Sequence, residues 1–156
     1  EFRTASMSRL EKVDEMIKKC ANAAAMALDC TVTLTFGLSD FADMVRNYPL
    51  ENKITELMAG YGLKVGDVPP ASGSSDVGNI SYRCPAMQSM LSITDENFAL
   101  HTRDFRDATL KPKAHDAMTK GACCLADLSL KIFNDDSFRS TVYEAWQKEL
   151  KNKQSD

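Results

Sequence analysis

The chain has 156 residues, 26% of them charged, and a net charge of -3. No dense basic stripe is present, which argues against nucleic acid as the main partner, and no apolar run approaches the ~18 residues that a membrane span needs. A hydrophobic content of 44% suits one or two small globular domains.

The first elements read as strand, helix, strand. Glu1-Phe2-Arg3-Thr4 looks like a strand already in progress, and the first Met is Met7, so the chain is expected to be part of a longer one. Ser8 followed by Glu11 makes a capping box. Apolar residues then recur at Leu10, Val13, Ile17, Cys20, Ala24 and Leu28, one face of an amphipathic helix. Cys30, Val32, Leu34 and Phe36 alternate with Thr31, Thr33 and Thr35, which predicts a strand with one apolar face. Two strands flanking one helix are marginal alone, so this unit wants more sheet. Residues 37–47 are polar and loop-like, and a domain boundary is expected near residues 38–48.

Pro49 suits the first position of a helix whose apolar side is Leu50, Ile54, Leu57 and Met58, with Gly60 or Gly62 as its stop. Val68-Pro69-Pro70-Ala71-Ser72-Gly73 then forbids regular structure. Gly73, Ser74 and Ser75 favour a tight turn whose backbone N–H groups can face a ligand, with Asp76 and Asn79 as polar tips beside it. Ile80, Tyr82 and Cys84 alternate with Ser81 and Arg83 as in a strand, and an apolar run follows from Met87 to Ile93. His101 arrives just before another helix start. Taken bare, His101 suits a surface position, a satisfied core or a ligand, and Asp76 suits a plain turn.

Pro112 marks a helix boundary. From Ala114, apolar or small residues recur at Met118, Ala122, Leu125, Leu128 and Ile132, predicting a long helix with that side buried. Asn134-Asp135-Asp136 breaks it and can cap the next helix, which carries Phe138, Val142, Ala145, Trp146 and Leu150. Residues 148–156 read as frayed. His115 and Lys120 have no motif around them, and the Met residues read as core fillers. The five Cys, at 20, 30, 84, 123 and 124, are odd in number and irregularly spaced. They suggest reduced, mostly buried thiols in a cytoplasmic protein rather than a disulfide framework, and no secretory signal is visible.

The string Gly73-Ser74-Ser75-Asp76-Val77-Gly78-Asn79-Ile80-Ser81-Tyr82, the Cys84-Pro85 pair and His101-Thr102-x-x-Phe105 together resemble the C-terminal signature of the metal-dependent amidohydrolases. These are the relatives of aminoacylase, carboxypeptidase G and aminobenzoyl-glutamate hydrolase, and the dipeptidase-like branch is the most similar. The resemblance implies an α/β (α+β) fragment. Residues 1–47 would be half of a ferredoxin-like lid, or dimerisation, domain, with Phe2-Arg3 matching an Arg-bearing strand. Residues 48–156 would be the C-terminal strands and helices of an α/β zinc-peptidase-type catalytic domain.

The resemblance also implies a function. Such enzymes hydrolyse the amide bond of an N-acyl amino acid or a dipeptide with one or two divalent ions, zinc or manganese. His101 matches the last metal ligand. Gly73, Ser74, Ser75, Asp76 and Asn79 match the turn lining the site, in substrate-binding or supporting roles. The remaining ligands and the catalytic Glu belong to N-terminal motifs that this sequence does not contain. No catalytic residue is therefore expected in this chain, which should be inactive alone and bind zinc weakly. Expected partners are the N-terminal half of the same enzyme and a second subunit joined through the lid, with an exposed apolar surface where the missing half would sit. A different class of reading is a non-catalytic α+β dimerisation or binding module from a truncated or split gene. A nucleic-acid or ACT-like regulatory domain rests only on the strand–helix–strand unit.

Overall fold

The computed structural model describes residues 2–37, 40–66 and 73–155, with side chains to residue 153. They form six helices: α1 (Met7–Ala27), α2 (Tyr48–Gly60), α3 (Val77–Ser81), α4 (Arg103–Ala108), α5 (Pro112–Asn134) and α6 (Asp136–Ser155). Helices α2, α5 and α6 pack against one another. Their core is Leu50, Ile54 and Met58 from α2, Cys124 and Leu128 from α5, and Val142 from α6.

The start and stop signals of α2 act as the sequence suggests. Pro49 lies in the first turn, and the Asn47 side chain accepts from the Leu50 N–H at 3.2 Å. Gly62 takes φ +73, a left-handed turn that closes the helix as the Leu63 N–H reaches the Met58 carbonyl at 3.0 Å. Between α5 and α6, Asp135 caps through its Oδ1, which accepts from the Phe138 N–H at 2.8 Å.

The α/β expectation is overturned, because the described residues contain no strand. The ferredoxin-like half-lid and the C-terminal catalytic strands go with it. Residues 30–37 carry no regular structure and are exposed, outside any ladder. The alternation has the period of a strand, but a strand needs a neighbour. Here the flanking contacts are the Phe36 ring, edge-on to Phe2 with centroids 6.4 Å apart, and the Lys18 ammonium 5.4 Å above that ring. Ile80 and Ser81 lie in α3 and Tyr82 caps it, where alternation predicts a strand. Residues 87–93 carry no regular structure. The stretch from Val68 to Ser72 lies outside the described residues.

Other expectations shift. Helix α1 starts at Met7 with Ser6 at its N-cap, and no side chain of its own caps it. Its first N–H is instead met from afar, by Asp43 Oδ1 at 3.1 Å. Along α1, Ala25 is buried and Leu10, Val13 and Ile17 are half-buried, but Cys20, Ala24 and Leu28 are exposed. Helix α6 continues to Ser155 rather than fraying, since Lys153 pairs with Asp43. Helix α5 buries Ala114, Ala117, Cys124 and Leu128, whereas Met118 and Leu125, placed inward by the sequence pattern, are 68% and 52% exposed. Of the five cysteines only Cys124 is buried; Cys20, Cys30 and Cys84 are exposed.

Candidate functional site

The turn at residues 73–76 leads into α3, and α3 is held by the strap of residues 40–45. The Asn79 side chain accepts from the Ala42 N–H at 3.1 Å and donates to the Asp40 carbonyl at 2.9 Å. Ser81 is fully buried; its Oγ accepts from the Val45 N–H at 2.9 Å and donates to the Gly78 carbonyl at 2.6 Å. The Ser81 carbonyl accepts from Trp146 Nε1 at 2.7 Å, so α6 braces the same short helix. Gly78 lies so close to the strap that a Cβ there would sit 1.9 Å from the Ala42 carbonyl oxygen.

This clamp fixes the small-residue turn beside a cavity of about 440 Å³, lined by Phe2, Arg3, Met7, Phe36, Asp43 and Ser74 among others. Arg3 Nη1 donates to Ser74 Oγ at 3.0 Å, bringing together residues 71 apart in sequence. Ser75 is used locally, its Oγ accepting from the Val77 N–H at 3.2 Å. Gly73 is exposed with open space around it. Asp76 is exposed at the N-cap of α3 and makes no side-chain cap bond. Arg3, Asp43 and the buried clamp residue Ser81 are missed as a group by sequence reasoning, because the contacts that unite them are long-range. Only the Gly-Ser-Ser string hints at a specialised turn.

His101 stands elsewhere. It is exposed, adopts φ +64, and precedes Thr102, whose Oγ1 caps α4 by accepting from the Phe105 N–H at 3.2 Å. It does not line the cavity. Among the described residues, no three His, Cys, Asp or Glu side chains come together as a metal site. The residues present therefore do not by themselves fit a hydrolytic metal ion, which needs about three protein ligands. Also among the described residues, no helix is long and apolar enough to cross a membrane.

Asp43 is the electrostatic centre of the cavity wall. Burial raises its pKa, but the hydrogen bonds from Lys153, the Met7 N–H and Tyr82 outweigh this and hold the carboxyl below its ordinary value. Tyr82 donates to Asp43 Oδ1 at 3.1 Å. Burial first, and then the Asp43 charge, push the Tyr82 hydroxyl up to about 12. A depressed carboxyl contributes stability above its unfolded pKa of ~3.9 and loses it as pH falls through the folded value. The expected result is that acidification from pH 5 to 2.5 destabilises the native chain more than Asp43→Asn. Urea midpoints across that range measure it, and parallel acid limbs for the two proteins would refute the assignment.

Comparison with known proteins adds distant relatives. No family model matches the sequence. The chain is 27% identical over 156 residues to the Xaa-Arg dipeptidase of Mus musculus, an alignment covering 97% of this chain and 35% of the mouse protein. It is 26% identical over 157 residues to the Xaa-Arg dipeptidase of Homo sapiens, covering 98% and 36% respectively. The chain thus spans about a third of the length of the curated relatives it matches.

Proposed function

We propose that this chain is part of a metal-dependent hydrolase that cleaves the amide bond of an N-acyl amino acid or a dipeptide, and that its own share of the work is to hold the substrate's carboxylate. The observation that carries this reading is the Arg3–Ser74 pairing at the cavity, beside the small-residue turn. A guanidinium with adjacent hydroxyl and backbone N–H donors is the donor set a carboxylate prefers. The distant similarity to dipeptidases acting on Xaa-Arg supports the same class of substrate.

In this reading Gly73 gives a ligand close access to the backbone, and Ser74 shares the anion with Arg3. Asn79 keeps the turn in place through its grip on the strap, and Asp76 contributes its backbone carbonyl, which accepts from the Ile80 N–H at 3.2 Å. His101 would be one ligand of a zinc or manganese site, with the other ligands and the general base supplied by polypeptide outside these residues. A homodimer joined along the exposed residues 30–37 belongs to the same proposal, as does inactivity of the chain alone.

Binding of N-acetylarginine and of its C-terminal amide, followed by NMR titration, tests the substrate share. The acid is expected to bind at least tenfold more tightly than the amide, and Arg3→Ala should erase the difference. Equal binding of acid and amide would sink the carboxylate reading. Separately, incubation of the purified chain with Zn²⁺ and a dipeptide is expected to give no hydrolysis. Chelator-sensitive turnover would show that the chain holds a complete site after all.

A further inference from the structure

Beyond the Arg3–Ser74 corner, most polar side chains on the cavity wall are already engaged. Thr4 Oγ1 donates to the Ser6 carbonyl at 2.8 Å, and Ser6 Oγ lies 3.2 Å from Ser8 Oγ. Asp43 accepts from the Met7 N–H, the Tyr82 hydroxyl and the Lys153 ammonium. The surface left for a ligand is largely apolar, from Phe2, Met7, Leu10, Phe36 and Phe41. Phe36 and Phe41 remain 43% and 55% exposed, so their rings have area to bury. The volume of about 440 Å³ falls among small-molecule sites, which combine apolar walls with a few placed polar groups.

We propose that this cavity receives the substrate's side chain and selects a neutral aromatic one, with Phe41 as the specificity-determining residue. It rests on the hydrolase reading for the carboxylate end of the substrate. Three observations select a ring. Phe2 and Phe36 stand edge to face, with 6.4 Å between centroids and 88° between planes. A third ring can join such a pair at similar spacing and gain a quadrupole attraction that an aliphatic chain lacks. A cationic side chain is disfavoured, because the Phe36 ring it would stack on already carries the Lys18 ammonium at 5.4 Å, and the Asp43 charge is met by Lys153. Finally, Phe41 is fixed relative to the carboxylate corner. Asn79 donates to the Asp40 carbonyl and accepts from the Ala42 N–H, so it grips the backbone on both sides of Phe41. Asn79 lies in α3, which follows directly on the turn that carries Ser74. One amide thus presents ring and hydroxyl as a preorganised pair.

NMR titration of the full chain with N-acetylphenylalanine, N-acetylalanine and N-acetylarginine, each as the acid and as the C-terminal amide, tests this. N-acetylphenylalanine is expected to bind about tenfold more tightly than either of the others, in the acid and the amide series alike. Phe41→Ala should cut that preference to about threefold or less while keeping acid favoured over amide, and Phe41→Tyr should retain both. Arg3→Ala should do the reverse of Phe41→Ala. If Phe41→Ala lowers the helical circular dichroism, Phe41→Leu takes its place with the same expectation. Equal binding of the three acids, or tighter binding of N-acetylarginine, with acids still favoured over amides, overturns the aromatic assignment and leaves the hydrolase reading standing. An aromatic preference that survives in a folded Phe41 variant overturns the role of Phe41. Loss of the difference between acid and amide with the aromatic preference intact sinks the carboxylate reading alone. No binding of any probe at about 10 mM overturns both.

Discussion

Gly78→Ala is expected to destabilise the chain by about 3 kcal/mol, at the upper end of overpacking effects. A methyl group there would lie 1.9 Å from the Ala42 carbonyl oxygen and 2.8 Å from its carbon. Both atoms are backbone, so no rotamer change relieves the clash. Either α3 or the strap must move, and each shift breaks bonds that the other elements share. Lifting α3 pulls Ser81 from the Val45 N–H and from Trp146, and moving the strap pulls Ala42 and Asp40 off Asn79. Gly60→Ala is the control. Nothing lies within 4 Å of a Cβ at Gly60, which ends α2, so alanine there should stabilise by up to ~1 kcal/mol. Urea unfolding of both variants is the measurement, and similar small effects would show that the approach of α3 to the strap is not tight.

Asn47→Ala should be the second large loss, about 2–4 kcal/mol. Asn47 is completely buried and uses both ends of its amide. Its oxygen caps α2, and its nitrogen donates to the Val142 carbonyl at 2.9 Å, joining residues 95 apart. Removing the cap costs about 1 kcal/mol, and stranding a buried carbonyl adds roughly 1–3. Asn47→Asp separates the two roles. It preserves a capping oxygen but removes the donor and sets a buried carboxylate against the Val142 carbonyl. It should therefore be at least as damaging as alanine near neutral pH, and recover part of the loss on acidification as the carboxyl protonates. An aspartate variant as stable as the native protein would mean that the bond to Val142 contributes nothing.

The two ends of α2 and the break between α5 and α6 were legible because those signals are local, whereas the start of α1 and the end of α6 depend on Asp43, far away in sequence. Pro49, Gly62 and Asp135 act within a turn of where they stand. The short helix α3 was not legible, because Ile80, Tyr82 and Cys84 show a strand's alternation. What decides is the docking of Gly78 against a carbonyl 36 residues earlier. The alternation at residues 30–36 predicts a strand that the structure does not form, because a pattern supplies no partner strand. On α5 the sequence contains two apolar arcs, and periodicity cannot rank them. The core of α2 and α6 selects the arc of Cys124 and Leu128 and leaves that of Met118 and Leu125 outside. At the cavity, the Gly73-Ser74-Ser75 string marked a specialised turn, but the guanidinium meeting it comes from 71 residues away.

One carboxylate receives both the first N–H of α1, at Met7, and the ammonium of Lys153 near the end of α6. Two points close to opposite ends of the described chain are thereby brought to the same spot, beside the cavity wall. A change at Asp43 is therefore felt at both places at once, loosening the start of α1 and the last turn of α6 together.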